Sequence, residues 1–155
     1  MTFTTSAAQF SWDTLVRYKV DGRWLDGVSA DYRTFWAPRD DIHGLLRDLL
    51  TSAQHSVVLN MYGFDDTELD NIIRGHATTD HVFVQMSLDK SQAGGIAEKT
   101  ILQNWNNQAI GTSIAIGTSS QHAISHLKVL IVDGVYTVSG STTGVWAASR
   151  GRTMS

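Results

Sequence analysis

Residues 126–141 read HLKVLIVDGVYTVSGS, two β-rich runs joined by Asp133-Gly134. Asp-Gly between apolar runs is a strong hairpin signal, because the favoured two-residue turns need positive φ at these positions. With those two residues as the loop, Val132 pairs with Val135 and the register runs backward from there. Lys128 then lies opposite Ser139, and His126 opposite Ser141. Side chains alternate across a strand, so His126, Lys128, Ser139, Ser141 and Thr143 are expected on one face. Leu127, Val129, Ile131, Tyr136 and Val138 are expected on the other, as core. An imidazole, an ammonium and three hydroxyls have the chemistry of a phosphate pocket. The Lys supplies charge, the hydroxyls supply donors, and the His attacks phosphorus or moves a proton. Asp133 has an odd offset from His126 and sits in the turn, so the geometry predicts a structural role for it.

Upstream, strand-like and helical patterns alternate. Pro38 and Asp40 open a helix whose Ile42, Leu45, Leu46, Leu49, Leu50 and Ala53 share one face. HSVVLNMYGF is a buried strand. Asp65 and Glu68 have capping-box spacing ahead of a second helix carrying Leu69, Ile72 and Ile73. HVFVQMSLD is a second strand, residues 95–109 a weaker helix, and TSIAIGT a third strand. Aromatic-rich residues 12–36, punctuated by Asp21-Gly22 and Asp26-Gly27, suggest short hairpin strands. The pattern predicts an α/β fold in which a mixed sheet is flanked by helices and a C-terminal antiparallel hairpin carries the site.

A chain of 155 residues suits one domain, 1–155, with a sizeable core. It has no cysteine, hence no disulfide framework and no thiolate metal site. The N-terminus has neither a basic segment nor an apolar one of signal-peptide type, and no apolar run reaches membrane-spanning length, so a cytoplasmic location is expected. The formal net charge is −3, with four lysines and eight arginines. Broad electrostatic capture of nucleic acid is disfavoured, and any phosphate contact should be local.

His126, Lys128 and Asp133 reproduce the H-x-K-x4-D signature of the phospholipase D superfamily, and Gly140-Ser141 falls where its downstream Gly-Ser lies. With the preceding α/β pattern, the resemblance covers about residues 36–143. It implies a phospholipase D-like fold and a metal-independent phosphodiesterase that needs no cofactor. The signature implies His126, Lys128 and Asp133 as catalytic residues, and Lys128, Ser141 and Thr143 as phosphate-binding ones. In the family two motifs meet at one active site, one His forming a phosphohistidine and the other acting as general acid. This chain carries a single copy, so by analogy it needs a homodimer, as in the bacterial nuclease branch. The substrate, phospholipid or nucleic acid, stays open.

Members of the family read Gly-Ser-x-Asn with an acidic residue further on. Here Thr142 and Thr143 follow Ser141, and no Asp or Glu follows Asp133. The tail TTGVWAASRGRTMS can be back-translated so that one added A yields TNWSLGGEQGQDNE, with Asn in place of Thr143. A single-base deletion is therefore expected to have replaced the family ending, removing a closing strand or lowering activity. This favours an alternative function, a catalytically impaired phosphate-binding or interaction domain.

Other polar groups read more plainly. His122 and His126 at i, i+4 have metal-pair spacing only on a helix, whereas this segment reads as loop entering strand, without a third ligand. His43, His55, His76 and His81 border predicted elements and read as caps or surface residues. Asp65 and Asp66 read as caps, and the five tryptophans as core and interface, not as a base-stacking platform.

Overall fold

Trp12, Leu15 and Tyr18 recur every third residue, the period of a 3₁₀ helix, and all three are buried in one such helix, Trp12–Tyr18. The expected hairpin within 12–36 is absent. Only Tyr32–Trp36 (β1) is extended, and its partner is a distant strand. Aromatic density there reflects packing against the core and not strand pairing: Trp12 stacks on Tyr136 with ring centroids 5.9 Å apart. The Tyr18 hydroxyl donates to Asp48 at 2.6 Å, which ties the 3₁₀ helix to the next element.

The computed structural model describes residues 10–80, 82–89, 96–108, 110–117, 126–140 and 145–150. Its helices are Ile42–Thr51 (α1), Thr67–Gly75 (α2) and Ile96–Asn107 (α3). Asp41 caps α1 by accepting from Gly44 N at 2.9 Å, and Asp66 caps α2 by accepting from Leu69 N at 2.9 Å. The α1 cap falls one residue later than the expected Asp40, and of the two expected caps Asp65 and Asp66 it is Asp66 that serves α2, because the carboxylate must reach the third N–H beyond it. Asp40 is instead buried and accepts from Lys19 Nζ at 2.6 Å, Trp36 N at 2.8 Å and Val20 N at 3.1 Å.

The remaining strands are Ser56–Met61 (β2), Phe83–Asp89 (β3), Ile114–Gly117 (β4), Lys128–Val132 (β5), Tyr136–Gly140 (β6) and Val145–Arg150 (β7). One sheet runs β1-β7-β6-β5-β2-β3-β4, parallel between β2, β3 and β4 and antiparallel elsewhere. The mixed α/β architecture expected from the alternating pattern is the one observed. The expected loss of a closing strand is not: β7 lies between β1 and β6. Ladder hydrogen bonds come from the backbone, so residues Val145–Arg150 supply this strand whatever their side chains.

Register places Val57, Leu59 and Met61 beside Val84, Met86 and Leu88, and on the other flank beside Val132, Leu130 and Lys128. The apolar members of that face, with Val138, join one core cluster with Leu45, Leu49 and Leu50 of α1 and Ile73 of α2. Burying each such side chain contributes roughly 1.5–3 kcal/mol. His76, expected as a cap or surface residue, is the C-cap of α2 and is buried in this interior, its Nε2 2.7 Å from the Leu50 carbonyl. Trp12 and Trp105 are core as expected, whereas Trp36 is 46% exposed. No helix among the described residues is long and apolar enough to cross a membrane.

Candidate active site

The Asp-Gly reversal forms as expected but carries one more residue. Asp133 and Gly134 have φ of 56° and 66°, and Val135 N donates to Val132 O at 3.0 Å. The ladder then pairs Val132 with Tyr136 instead of Val135, so Val135 is a bulge residue. A one-residue slip exchanges the faces of a strand. Ser139 therefore pairs with Val129, and Lys128 shares its face with Leu130 and Val132. Packing accounts for the slip. The observed register gathers Leu130, Val132, Tyr136 and Val138 on the helix side, where Tyr136 meets Phe10 and Trp12. The expected register would have left Tyr136 and Val138 opposite that core.

Lys128 is the first residue of β5, and His126 lies two positions before it, outside the strand. Lys128 Nζ is 3.3 Å from His126 Nε2 and 3.3 Å from the His126 carbonyl oxygen. An ammonium only donates, so in this pair Nε2 is the acceptor and carries its lone pair. That is the form of imidazole able to attack an electrophile. The imidazole is exposed, and Lys128 is half-buried beside Met61, its partner across β2.

Tyr62, the residue after β2, completes the arrangement. Its ring meets the imidazole edge-on with centroids 4.8 Å apart, and the Lys128 ammonium sits 5.4 Å from the ring centre. One aromatic ring thus contacts both the base and the cation. The sequence reading missed Tyr62. Its only local signal was an aromatic residue ending a buried strand, and the β2–β5 pairing is what brings it to His126.

The predicted residues separate into two groups. His126 and Lys128 stand together. Ser139 is on the opposite face from Lys128, while Ser141, Thr143 and His122 lie outside the described residues. Asp133 is at the far end of β5, roughly 20 Å from His126 at about 3.3 Å per residue. Its carboxylate accepts from the backbone N–H of Gln54, His55 and Ser56 at 3.0, 2.7 and 2.9 Å, while its own N–H donates to Ser56 O at 2.8 Å. Burial alone would raise this carboxyl's pKa. The hydrogen bonds from Ser56, His55 and Gln54 outweigh it and hold the group below the usual carboxylate range. Asp133 thus clamps the hairpin turn to the entrance of β2 and lies apart from His126 and Lys128.

The family described as cardiolipin synthase, PLD-like domain, matches residues 46–143, and the chain belongs to this phospholipase D-like family. Among solved structures it is similar to Nuc, a phospholipase D family member from Salmonella typhimurium. That match has 22% identity and a TM-score of 0.59, and covers 76% of this chain and 79% of that one. NucT from Helicobacter pylori is similar at 16% identity and a TM-score of 0.58, covering 77% of this chain and 84% of that one. Phosphatidylserine synthase from Haemophilus influenzae Rd KW20 is similar at 12% identity and a TM-score of 0.57, covering 77% of this chain and 34% of that one. At these identities the likeness establishes the fold. Curated protein sequences give no match. Membership of the superfamily associates the chain with phosphodiester chemistry.

Proposed function

We propose that residues 1–155 form a single cytoplasmic domain that hydrolyses or transfers phosphodiesters without a metal. The 3.3 Å contact between Lys128 Nζ and His126 Nε2 carries this reading. An arriving phosphate oxygen takes the ammonium from Nε2 and frees the lone pair for attack. His126 nitrogen bonds to phosphorus as the bond to the leaving oxygen breaks, and that oxygen takes a proton from a second imidazole. Water then attacks the phosphohistidine, returns a proton to that second imidazole, and releases the phosphomonoester. Lys128 offsets the charge that builds on the phosphoryl oxygens. Ser141 and Thr143 are proposed to donate to the same oxygens.

The second imidazole belongs to a second copy of the chain, since one motif is present here. Light scattering at micromolar concentration should give a dimer mass, and specific activity should fall on dilution below the dimer dissociation constant. A monomer with full specific activity would overturn the pairing.

The chemistry is tested with bis(p-nitrophenyl) phosphate in the presence of EDTA. Turnover in the parent chain, lost by at least about a thousandfold in His126→Ala, supports the enzyme. A second reading has its own support. No Asp or Glu follows Asp133, and Thr143 stands where the family has Asn. If the folded chain binds phosphate but turns nothing over, it is a catalytically impaired phosphate-binding domain.

A further inference from the structure

Register divides the sheet into two faces. Leu59, Leu88, Leu130, Val132 and Val138 belong to the face that meets α1, α2 and α3 in the core cluster. The other face follows from the same pairings. Tyr32 and Thr34 of β1 connect through Ser149 and Ala147 to Thr137 and Ser139 of β6. Those two pair with Ile131 and Val129 of β5, which pair in turn with Val58 and Asn60 of β2. Gln85 and Ser87 of β3 continue the rows, and Trp36 and Phe83 stand at diagonal corners.

None of the residues so placed on β1, β6, β5, β2 and β3 is charged, and none belongs to the core cluster. Alternation adds one acid, Asp89 at the end of β3, and it is buried. Tyr32, Trp36 and Phe83 are 57%, 46% and 60% exposed, while Val58, Val129 and Ile131 are half-buried. Parallel strands such as β2 and β3 are ordinarily covered on both faces. Here the described helices cover one.

The composition of the open face restricts what can cover it. A phosphate or an acidic peptide needs cations, and the face has none. A partner surface that carried charge would have to bury it unpaired. A second flat, uncharged sheet meets neither obstacle, and the same face of another copy is such a sheet.

We propose that two copies of the chain stack through this face, about a two-fold axis that sets one β5 over the other. β5 is the middle strand of the seven, so this axis gives the fullest overlap. Each copy offers the other the same uncharged surface, and no like charges meet. Sheets pack face to face in this way about 10 Å apart. The face spans about 29 Å from β1 to β4 and about 17 Å along a five-residue strand. Two copies thus bury on the order of 1,000 Å², the lower limit for a specific contact. About half of the face is Ser, Thr, Asn and Gln, which lose water on contact, so the dissociation constant is on the order of 100 micromolar. Lys128 is on the opposite face. The contact is therefore separate from the pairing of two motifs, and it doubles whatever species that pairing gives.

Sedimentation equilibrium between about 5 and about 500 micromolar tests the association. The weight-average mass of the parent should rise by at least about half over that range, whatever its starting value. Trp36→Glu and Phe83→Lys each put a charge at a corner of the face and should weaken the association at least tenfold. A mass that stays level, or that rises equally in both variants, overturns the proposal. Ile131→Lys and Ile131→Glu should each abolish the rise, and their equimolar mixture should restore it, because opposite charges then meet across the two β5 strands. A mixture no tighter than its components overturns the stacking. A parent that keeps its starting mass and instead co-floats with phosphatidylcholine vesicles gives the face to a lipid surface and also sinks the idea. Failure of motif pairing alters only the starting mass, so the two readings are told apart. Melting curves by circular dichroism verify folding, and the exposed Trp36 and Phe83 carry the test if either Ile131 variant melts early.

Discussion

The ring of Tyr62 meets the imidazole of His126 edge-on, at 4.8 Å between centroids, while the Lys128 ammonium rests 5.4 Å from the same ring. Contacts of these kinds contribute roughly 0.5–1.5 kcal/mol each. Tyr62→Leu should therefore lower kcat/KM for bis(p-nitrophenyl) phosphate about tenfold, and Tyr62→Phe, which keeps the ring, by no more than about threefold. Equal losses in both variants would show that the ring is not what matters.

Asp133 should behave as a stability residue. Asp133→Ala removes an acceptor from the three N–H groups of Gln54, His55 and Ser56 and should cost about 1–2 kcal/mol, given the partial exposure of the turn. Its folded pKa lies below the ordinary 3.8. The stabilisation is therefore fully present above 3.8 and is lost as pH falls through the lower folded value. Urea titrations of parent and variant should differ most near neutral pH and converge in strong acid. A gap that persists there would rule out the charged clamp.

Lys19 and Asp40 form a buried ion pair at 2.6 Å, with side chains 8% and 1% exposed. Burial would raise the Asp40 carboxyl, but Lys19 and the N–H groups of Trp36 and Val20 hold it below its usual range. Removing one partner leaves the other charge buried, so Asp40→Asn should cost about 3 kcal/mol. The double change Lys19→Met with Asp40→Leu should recover much of that loss. Urea unfolding of the parent, Lys19→Met, Asp40→Leu and the double variant gives the coupling directly, and an additive result would deny it.

The coding DNA beyond Gly140 should yield NWSLGGEQGQDNE in the neighbouring frame. A chain carrying that ending in place of residues 143–155 should turn over bis(p-nitrophenyl) phosphate faster than the parent, since Asn and carboxylates return. Codons that yield another ending, or a chimera no faster than the parent, would remove the deletion as an explanation.

The chain announced its α/β order and its hairpin through short-range signals. The spacing of Leu45, Leu49 and Leu50, the Asp-Gly turn, and the apolar runs of β2 and β3 each depend on neighbours a few residues away. The same reasoning failed across 12–36, where Trp12 packs on Tyr136 and Trp24 on Phe35 and no hairpin forms. It failed again by one residue at Val135. Periodicity specifies which positions alternate, and the core then selects the face.

The pairing of His126 with Lys128 is set close to home, because the two residues are only two positions apart in the chain. What stands beside that pair was decided in three dimensions. Tyr62 arrives through the antiparallel match of β2 with β5, and Ser139 leaves through a bulge chosen to bury Tyr136 and Val138. Asp133 finds its partners 77 to 79 residues away. Such contacts follow from how separate elements share one apolar interior, a collective property that no local pattern encodes.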